Sequence, residues 1–356
     1  MAKELGRSGE APHIVVTGGA GYIGSHSVVA LHTAGYRVTI FDDLRRSLPQ
    51  VLDGIAAILG EPATLIPVDI CDDAALGAAF AQCGPVDAVI HFAAYKSVRE
   101  SVADPIIYYR NNVGGTVSLI GAMARAGCRR LVFSSSCTVY GQPDTLPVTE
   151  ASPMKTAASP YGASKQMCER ILSDVQAGEG STSLSHVVSL RYFNPAGAHP
   201  SALIGELPAG TPDNLIPYIT QTAAGWRKTL RVFGSDYPTP DGTAIRDYLH
   251  VMDLAEAHVA AVALALRASP GLEEINLGTG IGVSVLQAVA AFERATGVTV
   301  PIEMAPRRPG DIEQIWSSGT RAADTLGWRT VRSIDEMMSS AWAWQTRLGS
   351  TPPAGV

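Results

Sequence analysis

The sequence predicts an α/β fold, a doubly wound parallel sheet with a smaller, loop-rich C-terminal lobe. Three observations lead to this expectation. Apolar runs of strand length alternate with helical patterns through the first half of the chain, as parallel sheets with crossover helices require. The first run leads directly into a glycine-rich turn, Gly18-Gly19-Ala20-Gly21-Tyr22-Ile23-Gly24, and then into a helical pattern. After Asn194 the elements shorten, and Pro195, Pro200, Gly205, Pro208, Gly210, Pro212 and Pro217 crowd into one stretch, the composition of a loop-rich unit.

Buried strands are expected over residues 13–17, 37–41, 64–68, 88–92, 130–134 and 187–192, each short and dominated by aliphatic or β-branched side chains. Helices are expected over 107–126, 159–176 and 251–267. These elements divide the chain into a flexible extension (1–12), a first lobe (13–193), a second lobe (194–344) and a flexible tail (345–356). Residues 245–270 are expected to return to the first lobe, so the boundary is interleaved. Ligands of such sheets bind beyond the C-terminal ends of the strands, where the second lobe would lie.

Composition narrows the function. Apolar residues make up 46% and charged residues 17% of the 356 residues, which suits a compact enzyme rather than a disordered or fibrous chain. A net charge of −6 without a Lys/Arg block gives no footprint for nucleic acid. The N-terminal segment carries both signs of charge before any apolar run, unlike a secretory signal or membrane anchor. Five cysteines, odd in number and without a C-x-x-C pair, fit a reducing cytoplasmic setting better than a disulfide framework. Eight histidines show no zinc-ligand spacing, so no structural metal is expected.

The glycine turn has the context that a phosphate-binding turn needs, with a strand before it and a helix after it. Glycines allow close backbone approach, and the helix N-terminus offers N–H groups and a positive dipole end to a pyrophosphate. Asp42, eighteen residues past Gly24 at the end of the next strand, and Asp43 supply carboxylates. A carboxylate there accepts ribose hydroxyls and repels a 2′-phosphate, so the expected cofactor of this Rossmann-type lobe is NAD rather than NADP. Arg45 and Arg46 are the residues a 2′-phosphate would seek. Asp69-Ile70 is either an adenine contact or, through Asp69, a helix cap.

Tyr161 and Lys165, four residues apart, fall on one face of a helix. A fixed positive charge beside the phenol is expected to lower its pKa from about 10 toward neutrality. Such a tyrosine can exchange a proton during hydride transfer. Ser134-Ser135-Ser136 precede it at the end of a strand.

Taken together, Thr17-Gly-Gly-Ala-Gly-Tyr-Ile-Gly24, Ser134-Ser-Ser-Cys-Thr-Val-Tyr140, Tyr161-x-x-x-Lys165 and Arg191-Tyr-Phe-Asn194 resemble the extended short-chain dehydrogenase/reductase superfamily. His91-Phe-Ala-Ala-Tyr-Lys96, Tyr109-Arg-Asn111, Asn194-Pro-Ala-Gly-Ala-His199, Arg246-Asp-Tyr-Leu-His-Val-Met-Asp253 and Ala305-Pro-Arg-Arg-Pro-Gly-Asp311 narrow the resemblance to the UDP-glucose 4-epimerase family of the bacterial galactose pathway. The resemblance implies hydride transfer from sugar carbon 4 to bound NAD, a 4-keto intermediate, and hydride return to the opposite face. Tyr161 would be the base. Lys165 would orient the cofactor, and Ser136 would hydrogen-bond the reacting oxygen. It also implies cofactor contacts from Gly18, Gly21, Tyr22, Ile23, Gly24, Asp42, Asp43, Leu44, Ser47, Asp69, Ile70, Phe92, Ala93, Ala94, Lys96, Asn111, Ser134 and Phe193.

For the UDP-glucose or UDP-galactose substrate, the same resemblance implies Lys96, Asn194, Asn214, Leu215, Phe233, Arg246, Arg308, Asp311 and Ile315, with the two arginines on the diphosphate. Ala94 departs from a glycine usual in the family, and Cys137 from a smaller residue. Ile315 stands where a bulky side chain restricts the pocket and a small one admits N-acetylated sugars. A 4,6-dehydratase would carry an Asp-Glu pair where this chain has Cys137-Thr138. A decarboxylase would need a cation for the sugar carboxylate, and a non-enzymatic NAD sensor would have no use for an activated tyrosine. Family members pair through first-lobe helices, so helices 107–126 and 159–176 are the expected homodimer interface.

Overall fold

The computed structural model describes residues 10–208, 210–308, 311–349 and 351. Most of the two expected flexible ends, residues 1–9, 350 and 352–356, lies outside the described residues.

In the first lobe, β1 (His13–Thr17), α1 (Tyr22–Thr33), β2 (Arg37–Phe41), α2 (Gln50–Leu59), β3 (Leu65–Ile66), α3 (Asp73–Cys83) and β4 (Ala88–His91) alternate strictly. Next come α4 (Val98–Ala103), α5 (Pro105–Tyr108), a π-helical turn (Tyr109–Gly114), α6 (Gly115–Arg125), β5 (Arg130–Ser136), a 3₁₀ turn (Cys137–Tyr140), α7 (Pro160–Ala177), β6 (His186–Tyr192) and β7 (Asn194–Ala196). The rest comprises α8 (Leu215–Ala223), β8 (Leu230–Phe233), β9 (Ile245–His250), α9 (Val251–Arg267), β10 (Gly271–Leu277), β11 (Gly282–Ser284), α10 (Val285–Thr296), β12 (Ile302–Ala305), β13 (Gln314–Ile315), α11 (Thr320–Leu326) and α12 (Ile334–Leu348).

Seven strands form one parallel sheet in the order β10-β6-β5-β4-β1-β2-β3. The chain turns back between β1 and β4, and a crevice opens beyond their C-terminal ends, the switch point where doubly wound sheets bind ligands. Alternate side chains of each strand enter opposite faces. Ile14 and Val16 join a cluster with Val28, Leu31, Leu254, Ala257, Ala261 and Ala265 under α1 and α9. Val15 joins Leu76, Phe80, Leu119, Met123 and Leu172 under α3, α6 and α7.

The second lobe has its own core, in which Ile216, Ile219, Val289, Phe292, Met337 and Met338 join α8, α10 and α12. Its strands form a small sheet centred on β9, with β7, β11 and β13 beside it, and a separate β8–β12 pair. Two boundaries differ from expectation. The return to the large sheet includes β10, so it spans 251–277, while 245–250 stays in the small sheet. The expected tail begins inside α12, where Gln345 is buried.

The expected helix over 107–126 is broken into α5, the π-turn and α6. Inside the π-turn Asn112 is buried, and its side chain accepts from the Tyr95 N–H at 2.8 Å and donates to the Tyr95 carbonyl at 3.0 Å and the Ser164 hydroxyl at 3.1 Å. A π-bulge thus spends one residue on fastening the post-β4 loop to α7.

Candidate active site

The turn after β1 sits over the switch point. Gly18 has φ of +70°, and a Cβ there would lie 2.6 Å from the Ala93 nitrogen. A Cβ at Gly24 would lie 2.1 Å from the Gly18 carbonyl oxygen. The N-cap of α1 is Gly21, which has no side chain to cap the first turn, so its N–H groups are available to an anion. The cavity beside this turn is lined by Gly18, Gly21, Tyr22, Ile23, Gly24, Asp42, Asp43, Ser47, Ile70, Phe92, Ala93, Ala94, Lys96, Asn111, Ser134, Tyr161 and Lys165. These residues come from seven separate stretches of sequence, as the site of an extended dinucleotide would.

Asp42 is buried and accepts the Ala20 N–H at 3.0 Å and the Leu44 N–H at 2.9 Å. Burial raises its pKa, and these backbone bonds partly offset that shift. Leu44, with φ of 58°, closes the turn after β2 and is not in the cavity wall. Both nearby guanidinium groups are matched: Arg45 pairs with Asp69 at 2.8 Å and Asp43 at 3.2 Å, and Arg46 pairs with Glu100 at 2.8 Å while stacking on Tyr95. The cap of α3 is Asp72, whose carboxylate accepts two first-turn N–H groups, so Asp69 is not the cap.

The reactive side chains meet where β5, β6 and α7 converge. Ser159 caps α7 and Pro160 follows it, which places Tyr161 in the first helical turn. A Cβ on Gly162 would lie 3.2 Å from the Thr138 carbonyl oxygen, so the helix start approaches the 3₁₀ turn after Ser136 closely. The Ser136 hydroxyl accepts the Thr138 N–H at 3.2 Å and lies close enough to the Tyr161 phenol to lower its pKa. Lys165, one turn further on, is buried and donates to the Ser134 carbonyl at 2.7 Å. The Ser134 hydroxyl contacts the Tyr192 phenol.

This geometry corrects the expected acidic phenol. Burial pushes the Tyr161 pKa well above 10, and Ser136 only partly opposes it. Lys165 is directed at a backbone carbonyl, and burial lowers its own pKa to about 8. Helical spacing brings the two residues together but does not by itself acidify the tyrosine.

Behind the site, the Glu169 carboxylate accepts the Ser135 hydroxyl at 2.5 Å and the Arg191 guanidinium at 2.6 Å, with both charges almost fully buried. This link fixes the strand ends that carry Ser134, Ser136 and Tyr192 against α7. Sequence reading did not single out Glu169, since a buried ion pair has no local signature. Tyr192 was also missed; it lines the cavity, whereas the neighbouring Phe193 ring packs with Cys137, Val139, Tyr140, Val148 and Ile315. Burial pushes the Cys137 thiol up to about 12, so it remains an inert packing group. The buried Thr138 hydroxyl has no protein partner among the described residues.

The other expected binding residues lie on the second lobe. Asn194 opens β7, Asn214 is the N-cap residue of α8, and Leu215 begins that helix. Phe233 ends β8 with the Arg308 guanidinium 4.7 Å from its ring centre. Arg308 pairs with Asp311 at 3.0 Å. Arg246 lies opposite Ile315 in the β9–β13 register. The charges of Asp311, Arg307, Arg246 and Arg308 all act on the Tyr237 phenol, and that of Arg246 also on Cys137 beside Ser136. Of these groups, Arg246 is the one whose charge reaches the residue next to Ser136. Lys96 does not point freely into the cavity; its ammonium is 2.7 Å from the Glu206 carboxylate.

A switch-point dinucleotide cavity joined to a Ser-Tyr-Lys constellation defines a nucleotide-dependent oxidoreductive enzyme. The chain belongs to the NAD dependent epimerase/dehydratase family, whose model matches residues 14–278. It is 50% identical to the UDP-glucose 4-epimerase of Yersinia pestis over 94% of this chain and 98% of that protein. It is 48% identical to that of Bacillus subtilis, over 94% and 96% respectively. Among solved structures, UDP-glucose 4-epimerase from Bifidobacterium longum in complex with NAD+ and UDP superposes with a TM-score of 0.90 at 44% identity, covering 94% of this chain and 98% of that one.

Proposed function

We propose that this chain is an NAD-dependent UDP-glucose 4-epimerase that interconverts UDP-galactose and UDP-glucose in galactose metabolism. The observation that carries the reading is the placing of Tyr161 and Lys165 in the wall of the dinucleotide cavity, with Ser136 beside the phenol and the charge of Arg246 acting on the neighbouring Cys137. When bound, NAD supplies the acceptor for the carbon-4 hydride and then its donor to the opposite face.

Ser136 and Tyr161 hold the carbon-4 oxygen between two hydroxyls. Tyr161, as phenolate, would take its proton as the alcohol becomes a ketone and give it back on reduction. The protein alone leaves this phenol neutral, so its proton moves readily only with positive charge nearby, from Lys165 and the oxidised ring. Lys165, held by the Ser134 carbonyl, has remaining N–H donors that would hold the nicotinamide ribose. Arg246 and Arg308 grip the diphosphate, so affinity comes from the nucleotide while the keto sugar is free to turn over. The inert Cys137 thiol beside Ser136 offers no acid for the water elimination of a dehydratase.

The working form is a homodimer in the cytoplasm. Val117 and Met167, on α6 and α7, are large exposed apolar side chains on the two helices expected to pair, and Val102 and Ile106, on α4 and α5, are exposed as well. All five cysteines are free, as a reducing compartment would keep them. No helix among the described residues is long and apolar enough to cross a membrane.

Purified protein without added cofactor, incubated with UDP-galactose, should form UDP-glucose by NMR with no net accumulation of reduced nicotinamide. Failure to convert even with added NAD would overturn the reading.

A further inference from the structure

Glu206 lies in the Pro/Gly-rich segment after β7, where no spacing marks it. Its side chain is only 8% exposed, which is costly for a carboxylate unless it is paired. A single oxygen, Oε1, accepts both the Lys96 ammonium and the Asn214 amide, each at 2.7 Å. Lys96 lines the dinucleotide cavity, whereas Asn214 heads α8 in the second lobe.

The segment that carries Glu206 is itself fixed. The Trp344 indole donates to the Glu206 carbonyl at 3.1 Å, and Gly205 packs so closely that a Cβ would lie 2.4 Å from the Trp344 ring. In the same region the Tyr22 hydroxyl donates to the Gly197 carbonyl at 2.6 Å, joining the glycine turn to the second lobe.

We infer that Glu206 is a positioning residue that holds Lys96 and Asn214 in the orientations needed to bind the nucleotide diphosphate. The inference rests on the proposed nucleotide-sugar reading and adds a residue to it. One carboxylate oxygen fixes a donor from each lobe. The ammonium retains two N–H donors for ligand oxygens, and the amide retains its own carbonyl and second N–H. Without Glu206, a long, exposed lysine and an asparagine amide without that partner must be ordered by the ligand itself, at a cost in binding.

The test uses the full-length holoprotein and UDP as probe. Glu206→Ala should weaken UDP binding by calorimetry about tenfold, the size expected for losing one charge-assisted contact. KM for UDP-galactose should rise in parallel while kcat stays within about twofold. Glu206→Gln, which keeps an acceptor oxygen, should recover a substantial part of the loss. Asn214→Ala combined with Glu206→Ala should weaken UDP binding less than the product of the separate effects. Because Trp344 binds the backbone carbonyl, the melting temperature should be little changed.

Unchanged UDP affinity in Glu206→Ala would overturn the inference, as would full additivity with Asn214→Ala, or a fall in kcat and melting temperature without a change in affinity. The calorimetric readout does not depend on turnover. If the wild type binds UDP but does not epimerise UDP-galactose, the proposed reaction fails while the role of Glu206 is still decided.

Discussion

The Lys165 ammonium donates to the carbonyl oxygen of Ser134 at 2.7 Å, so the lysine is tied to the end of β5 rather than to the phenol one turn before it. The neighbour that acts on the Tyr161 phenol is instead Ser136. The two halves of the Tyr-x-x-x-Lys motif thus have different partners, and the proposed mechanism assigns one to the reacting oxygen and the other to the cofactor.

Tyr161→Phe retains the ring and removes only the hydroxyl. Turnover should fall at least about a hundredfold, the lower range for loss of general acid–base catalysis, with the circular dichroism spectrum unchanged. Near-normal kcat would remove Tyr161 from its assigned role.

Lys165 is charged below about pH 8 and neutral above it, because burial disfavours the ammonium. In the proposed mechanism the charged form orients ribose and supports the phenolate, so kcat/KM should decline as pH rises through about 8. A profile flat from pH 7 to 10 would contradict this role.

Ile315 is buried in one cluster with Cys137, Tyr140 and Phe193, and Cys137 directly follows Ser136. Wild type should therefore have a higher kcat/KM for UDP-galactose than for UDP-N-acetylgalactosamine. Ile315→Ala should narrow that ratio about tenfold and cost about 2–4 kcal/mol of stability through the cavity it leaves. Equal specificity constants in the wild type would refute the assignment.

Acid should destabilise the fold through buried neutral histidines. Burial lowers the pKa of His26 and His91 to about 3, and of His250 and His258 to about 4. In the unfolded chain each takes up a proton near pH 6.5. Their contribution is fully present above that pH and is lost as pH falls toward the folded values, by about 1.4 kcal/mol per pH unit for each histidine. Urea unfolding midpoints should drop markedly between pH 7 and pH 5; an unchanged midpoint would be inconsistent with neutral burial.

Sequence reveals most where one residue type must serve one local purpose. The glycine turn, Asp42 and the aliphatic strands β1, β2, β5 and β6 are of that kind, since φ, backbone approach and burial constrain each residue directly. Strand β10 was not legible, because Glu273 and Glu274 interrupt its apolar pattern. Both are satisfied across the fold, by Arg321 and Arg191. Glu169, Glu206 and Tyr192 were hidden for the same reason: their partners are distant in sequence, so only the folded chain shows what each one holds. The pKa of Tyr161 was misjudged because spacing reports which charges are near, while burial, the larger effect, depends on the whole fold.

The central claim is that one hydride leaves carbon 4 and returns to the same carbon from the other side. UDP-galactose carrying deuterium at carbon 4, incubated with the protein in ordinary water, tests it most directly by NMR and mass spectrometry. The UDP-glucose formed should retain the deuterium at carbon 4 with inverted configuration. UDP-glucose that had lost its label to solvent would contradict the account.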